Sequence, residues 1–226
     1  LNEGRLLMKK ANKIFFYILL SMFIFIVLFP FIWVFLTSIK PVNEIFGSFA
    51  WFTNNSTIKS YIAAFTQRPL LRYLFNSLVV SSITTVFSIT VASFTSYAIT
   101  RLPIKGKTII LGGVLAASMF PQIAIISPIF NLITRLGLRN SFSGLVIPYI
   151  SITLPLAIWI LSTFFKKIPY SLEESAKLDG ATPFQTFRKI IFPLAAPGVF
   201  TTAILVFIAA WNEYLFALTI NSDDRW

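Results

Sequence analysis

Few side chains in this sequence could do chemistry, and their positions narrow what that chemistry can be. The 226 residues contain no histidine and no cysteine, and only 8 carboxylates. Histidine acid–base work, disulfides and thiolate metal sites are thereby excluded. The polar residues that stand out fall in two places. One is the stretch 171–193, SLEESAKLDGATPFQTFRKIIFP, a charged island between two long apolar runs that carries Glu174 and Asp179. The other is Trp211-Asn212-Glu213, where a carboxylate lies inside an apolar run. No paired carboxylates fall within the apolar runs. Gly106-Lys107-Thr108 imitates the end of a phosphate-binding loop, but Arg101 stands where that loop needs its first glycine and no strand precedes it, so a nucleotide site is rejected.

The island reads as two short helices joined by a turn. Ser171 is placed to cap the first, with Glu174 completing a capping box, and Asp179-Gly180 supplies the stop, glycine taking the left-handed conformation. Thr182 caps the second, Pro183 suits the first helical position and Gln185 closes a second box. Phe184, Phe187, Ile190 and Ile191 then share an apolar face until Pro193 ends the run. For Glu174 two roles stand open, the cap and a contact with a partner; the cap alone leaves Ala176 and Gly180 unexplained. Asp179 is equally a turn former. Phe184 and Phe187 read first as packing beneath the second helix. Glu213, about two turns from the end of its run, reaches water there by tilt, although an ionisable residue within a membrane span is otherwise a functional candidate.

The elements that must position these groups are membrane spans. With 56% hydrophobic and 12% charged residues, and with the apolar residues in runs, the chain is an integral membrane protein rather than a soluble domain. Spans are expected at about 14–39, 73–100, 108–133, 145–165 and 195–220, all in one transmembrane domain covering 1–226. The first is too long for a signal-peptide core and should remain as a span. Trp51 and Phe52, in the long loop that follows, are expected as interfacial anchors, and the sequon at 54–57 carries little weight. Pro121, Pro128, Pro148 and Pro155 mark the third and fourth spans as helices whose freed backbone groups need protein or water. The net charge of +11 sits in clusters at run ends, the pattern of topology signals rather than of nucleic-acid binding. Counting Lys and Arg on alternate connections gives 12 against 7, which places the N-terminus, the 101–107 turn and the island on the cytoplasmic side.

Glu174-Ser175-Ala176, with Gly180, Ile190 and Phe192-Pro193 at their spacings, resembles the cytoplasmic "EAA" loop of permease subunits of binding-protein-dependent ABC importers. Ser175 replaces a usual Ala there, and Phe192 a usual Leu. Phe29–Pro41 resembles the end of the first helix of carbohydrate-type permeases, Phe120-Pro121-Gln122 the middle of their third, and Trp211-Asn212-Glu213 with YLFAL their fifth. The likeness covers almost the whole chain, which narrows the resemblance to the maltose-transporter type.

The resemblance implies an all-α, polytopic permease of the type I ABC importer fold, with five spans present. A sixth is usual, so the chain looks cut short at its C-terminus. It implies a multi-pass protein of the bacterial cell membrane with a cytoplasmic N-terminus and a cytoplasmic coupling loop at 166–194. ATPase coupling falls to Glu174, Ser175, Ala176, Asp179, Gly180, Ala181, Phe184, Phe187, Ile190 and Pro193. The translocation pathway falls to Pro121, Gln122, Trp211, Asn212 and Glu213, with substrate contacts made largely by the partner permease. The implied partners are a second homologous permease subunit, an ATPase dimer that holds ATP and Mg, an extracytoplasmic solute-binding protein and the bilayer. No cofactor is implied on this chain and no catalysis. The implied activity is import of a sugar or oligosaccharide by alternating access. The other readings are a permease of the same fold for another solute, and an intramembrane lipid-modifying enzyme, which lacks the clustered polar groups it would need.

Overall fold

The computed structural model describes residues 2–45, 51, 53 and 55–223. Phe52, and Asn54 at the start of the 54–57 sequon, lie outside the described residues. Among those described the fold is all-α, with helices α1 (Asn2–Ser38), α2 (Val42–Ile45), α3 (Lys59–Thr66), α4 (Leu70–Arg101), α5 (Lys107–Ser118), α6 (Gln122–Arg135), α7 (Phe142–Lys166), α8 (Ser171–Leu178), α9 (Pro183–Thr186), α10 (Phe192–Leu194), α11 (Ala196–Trp211) and α12 (Leu215–Ile220). A π-helical turn, Phe187–Ile191, joins α9 to α10. The chain divides into two compact units, 1–70 and 71–226.

In the first unit α1 is apolar over a length sufficient to span a bilayer, from Asn12 to Ser38. The helix begins earlier than its apolar run, at Asn2, because nothing in the basic N-terminal segment breaks it. Near its far end Trp33 meets Trp51 edge-on at 5.4 Å, and Lys40 lies over the Trp33 ring at 5.4 Å. Ser38 and Tyr61 hydroxyls hydrogen-bond at 2.6 Å, which holds α3 to the same end.

In the second unit α4 and α7 are each long and apolar enough to span. Ala92 of α4 and Ala157 of α7, both fully buried, share one apolar cluster with Ile89, Ile99, Ile158 and Leu161. Polar cross-links reinforce it: Ser88 and Thr153 hydroxyls meet at 2.9 Å, and Ser96 donates to the Ile158 carbonyl at 2.9 Å. Helix α11 packs on α7 at Gly198, where a Cβ would stand 2.3 Å from the Phe164 ring.

The expected third span, 108–133, is not one straight helix: α5 and α6 meet at 89°. Proline lacks an N–H and disfavours the helical region for the residue before it, and Pro121 stands at the corner in extended conformation as the N-cap of α6. Pro128, Pro148 and Pro155 are instead carried inside α6 and α7. The expected 195–220 span is likewise divided, α11 stopping at Trp211 and α12 restarting at Leu215. Nor does Pro193 end the second island helix. The π-turn before it accepts the N–H of Phe192 on the Phe187 carbonyl, a widening that gives the proline ring room, and the chain instead turns by 76° at Ala195.

Candidate functional site: the clamped island

The island is built from local signals. Glycine 180 takes φ +81°, and the C-terminus of α8 closes with Gly180 N–H on the Lys177 carbonyl at 3.0 Å and Ala181 N–H on the Ala176 carbonyl at 2.9 Å. This is the paired arrangement of a Schellman cap. At the start of α9 both bonds of the Thr182/Gln185 box are present, 2.8 Å and 3.3 Å. The Ser171/Glu174 box is absent. Helix α8 begins after Tyr170, which is already helical and makes no side-chain cap, and the Tyr170 carbonyl accepts from Glu173 and Glu174. Ser171 is thus the first helical residue, one position too late to cap.

Moving the start turns the other glutamate inward. Glu173, which the motif does not single out, is 2% exposed and places Oε1 3.0 Å from Nε of Arg101, the last residue of α4. Neither atom has another partner, so the two charges compensate each other. The same guanidinium donates to the carbonyls of Phe165 and Ile168, at and just beyond the C-terminal end of α7, where a cation is favoured by the helix dipole. It also lies over the Tyr170 ring, 5.8 Å away. Arg101 therefore clamps the ends of α4 and α7 to the first island helix. The second half is tied to α4 as well: Tyr97 donates to the Pro183 carbonyl at 3.3 Å, and Phe187 packs against Phe94 and Tyr97 with ring centres 5.0 and 5.1 Å apart.

Among the motif residues Ala176 and Phe187 are buried, and Ile190 and Ala181 partly so. Glu174, Ser175, Asp179, Gly180 and Pro193 face outward. Phe184 divides its surface, stacked at 6.4 Å on Phe94 yet 58% exposed, so it is not simply packing. Leu178 at the tip is 89% exposed, and space beyond Gly180 is open, with nothing within 4 Å of a Cβ placed there. The result is a platform tied to α4 and α7 whose outer side carries small, apolar, acidic and basic groups, Lys177, Arg188 and Lys189 among them. Among the described residues no cluster of three metal-ligating side chains occurs.

The second group divides. Trp211 and Glu213 line a cavity with α4 and α7 residues, whereas Pro121, Gln122 and Asn212 do not. Asn212 turns its amide back onto the Ile208 carbonyl at 2.9 Å. Glu213 caps α12, both carboxylate oxygens lying 3.1 Å from the Phe216 N–H. A carboxylate just ahead of an apolar turn is the signal that could have located this restart.

Residues 85–224 match the family described as binding-protein-dependent transport system inner membrane component. The chain is 43% identical over 195 residues to the trehalose transport system permease protein SugB of Mycobacterium tuberculosis, a match covering 86% of this chain and 71% of that one. It is 40% identical over 203 residues to the trehalose/maltose transport system permease protein MalG of Thermococcus litoralis, covering 88% and 72%. The sulfoquinovosyl glycerol transport system permease protein SmoH of Agrobacterium fabrum is 39% identical over 197 residues, covering 87% and 69%. In fold the chain is similar to the crystal structure of a bacterial ABC transporter involved in the import of the acidic polysaccharide alginate, with TM-score 0.78 and 23% identity over 96% of this chain and 76% of that one.

Proposed function

Because the chain belongs to the binding-protein-dependent transport system inner membrane component family, we propose that its role is to move a sugar or oligosaccharide across the cell membrane as the island at 166–194 is driven by an ATPase partner. It is a membrane transport subunit and not an enzyme; it works with a solute-binding protein that delivers substrate and an ATPase that hydrolyses ATP. ATP and Mg are held by that ATPase. A second homologous permease subunit completes the pathway, and the N-terminus and the island face the cytoplasm, a placing supported by the basic count of 12 against 7.

The observation that carries the coupling role is the clamp. A push on a loop reaches the membrane only if the loop cannot yield separately, and Arg101, Glu173 and Tyr97 join both island helices to α4 and α7. Motion of the island then carries the membrane helices as a body rather than bending a connector. Leu178, Phe184, Glu174 and Gly180 are the groups left for the ATPase surface. The sugar class is supported by relatives named for trehalose, trehalose/maltose and sulfoquinovosyl glycerol transport.

The test is reconstitution of the complete complex in proteoliposomes with ATP inside and binding protein outside. Uptake of labelled trehalose or maltose that needs both ATP and binding protein is expected. A complex that hydrolyses ATP in response to a non-carbohydrate solute, and transports that solute alone, would contradict the sugar reading. A benzophenone amino acid at Leu178 is expected to capture the ATPase on illumination; capture of the binding protein instead would reverse the orientation.

A further inference from the structure

Where α11 breaks off and α12 restarts, these helices line with α4 and α7 a partly open cavity of about 380 Å³, within the roughly 300–1,000 Å³ usual for small-molecule sites. Two groups in its wall have unmet hydrogen-bonding capacity. Ser81 is 1% exposed and its hydroxyl has no partner; the amide oxygen and nitrogen of Asn221 are both buried without partners. A buried polar atom left unpaired costs free energy, more so among membrane helices, unless water or a guest supplies the missing bond. Tyr149, Trp211, Asn76 and Glu213 are among the other polar and aromatic groups of the wall.

The chemistry of this wall limits the guest. No Lys or Arg lines it, so an anion has no counter-charge. Its one carboxylate, Glu213, is already engaged by the Phe216 N–H, and the neighbouring hydroxyls and amides are too few in charge for a cation cage. An apolar guest would leave Ser81 and Asn221 unsatisfied. What remains is a neutral molecule with several hydroxyls, each both donor and acceptor, and with apolar faces to lie on Trp211 and Tyr149.

We propose that this cavity is a sugar-binding subsite carried by this chain itself, in which Ser81 and Asn221 hydrogen-bond sugar hydroxyls and Trp211 packs against a ring face. This rests on the sugar-import reading above and assigns to this subunit a share of substrate recognition that the sequence leaves to its partner. The break between α11 and α12 becomes part of the site, since Trp211 and the capping Glu213 stand at it and line the cavity with α4 residues.

The test uses the complete complex in proteoliposomes, with trehalose and maltose as probes. Ser81→Ala and Asn221→Leu are each expected to raise the uptake KM about tenfold, the consequence of one or two lost hydrogen bonds, with ATPase retention unchanged. The chain has no cysteine, so Ser77→Cys, on the cavity wall, gives a second readout that leaves Ser81 and Asn221 intact. Sugar is expected to slow its modification by a thiol reagent and not that of Asn55→Cys. Normal KM in both variants with no protection at Ser77→Cys, while the unaltered complex transports sugar, means that water alone fills the cavity, and overturns the inference while the import reading stands. Failure of the unaltered complex to transport any sugar overturns the import reading and this inference with it.

Discussion

Two adjacent glutamates should fail in different ways when truncated. Glu173 is buried against Arg101 at 3.0 Å, their side chains 3% and 6% exposed, whereas Glu174 is exposed on the outer side of α8. Removing one partner of a buried ion pair costs about 3–5 kcal/mol because the other charge is left uncompensated. Arg101 keeps two carbonyl acceptors, so the lower end, about 3 kcal/mol, is the expectation for Glu173→Ala. For a chain of this size that is a fall of about 6–12 °C in Tm. Glu174→Ala, on a solvated face, should change stability by less than about 0.5 kcal/mol. Its cost should appear at the ATPase contact, roughly 2–5 kcal/mol for a charge truncated in a buried interface. Heating the detergent-solubilised, fluorescently tagged permease and following its elution measures the first quantity; ATPase retained on the tagged permease at low temperature measures the second. The double variant Arg101→Met/Glu173→Met, which removes both charges, should regain part of the lost Tm. Equal loss of Tm in the two glutamate variants, or full retention of Tm in Glu173→Ala, would refute the clamp.

Gly144→Ala should destabilise by about 1–3 kcal/mol, because its Cβ would stand 2.2 Å from the Leu138 carbonyl oxygen, backbone that cannot step aside; the same elution assay reads it. By contrast Gly180→Ala meets open space and should cost only about 1 kcal/mol, the penalty of a side chain at positive φ, with transport preserved. Lys177→Cys should be shielded from an impermeant thiol reagent outside whole cells while Asn55→Cys is labelled, and labelling of Lys177→Cys would invert the topology. Cysteines scanned through 115–131 should lose their helical period at Met119–Pro121, where α5 and α6 meet at 89°; an unbroken period would contradict the corner.

Legibility followed the range of the interaction. The Gly180 turn and the Thr182/Gln185 box depend on residues within one turn of chain and were plain in the sequence. Ser171 and Glu174 had the same spacing and failed, because Tyr170 entered the helix one residue early. That shift decides which of two identical glutamates faces inward, and its reward, Arg101, lies on another helix, invisible to any local pattern. The prolines show the same limit. Pro121 makes a corner while Pro128, Pro148 and Pro155 stay within helices, and nothing adjacent in sequence separates them. Trp211-Asn212-Glu213 was recognised as unusual, but its hydrogen bonds show first a helix restart and only then a cavity wall.

The claim that the island couples the ATPase to the membrane helices is tested most directly by Gly180→Glu in the purified complex. The substitution strains the φ +81° turn and sets bulk and charge at the exposed tip of the platform. ATPase co-purification and ATP-driven sugar uptake are measured on the same preparation, with permease folding checked by elution. The account predicts a folded permease that has lost uptake, with the ATPase released or its hydrolysis no longer linked to substrate. A folded permease that retains the ATPase and takes up sugar at the normal rate would show that the island is only a connector.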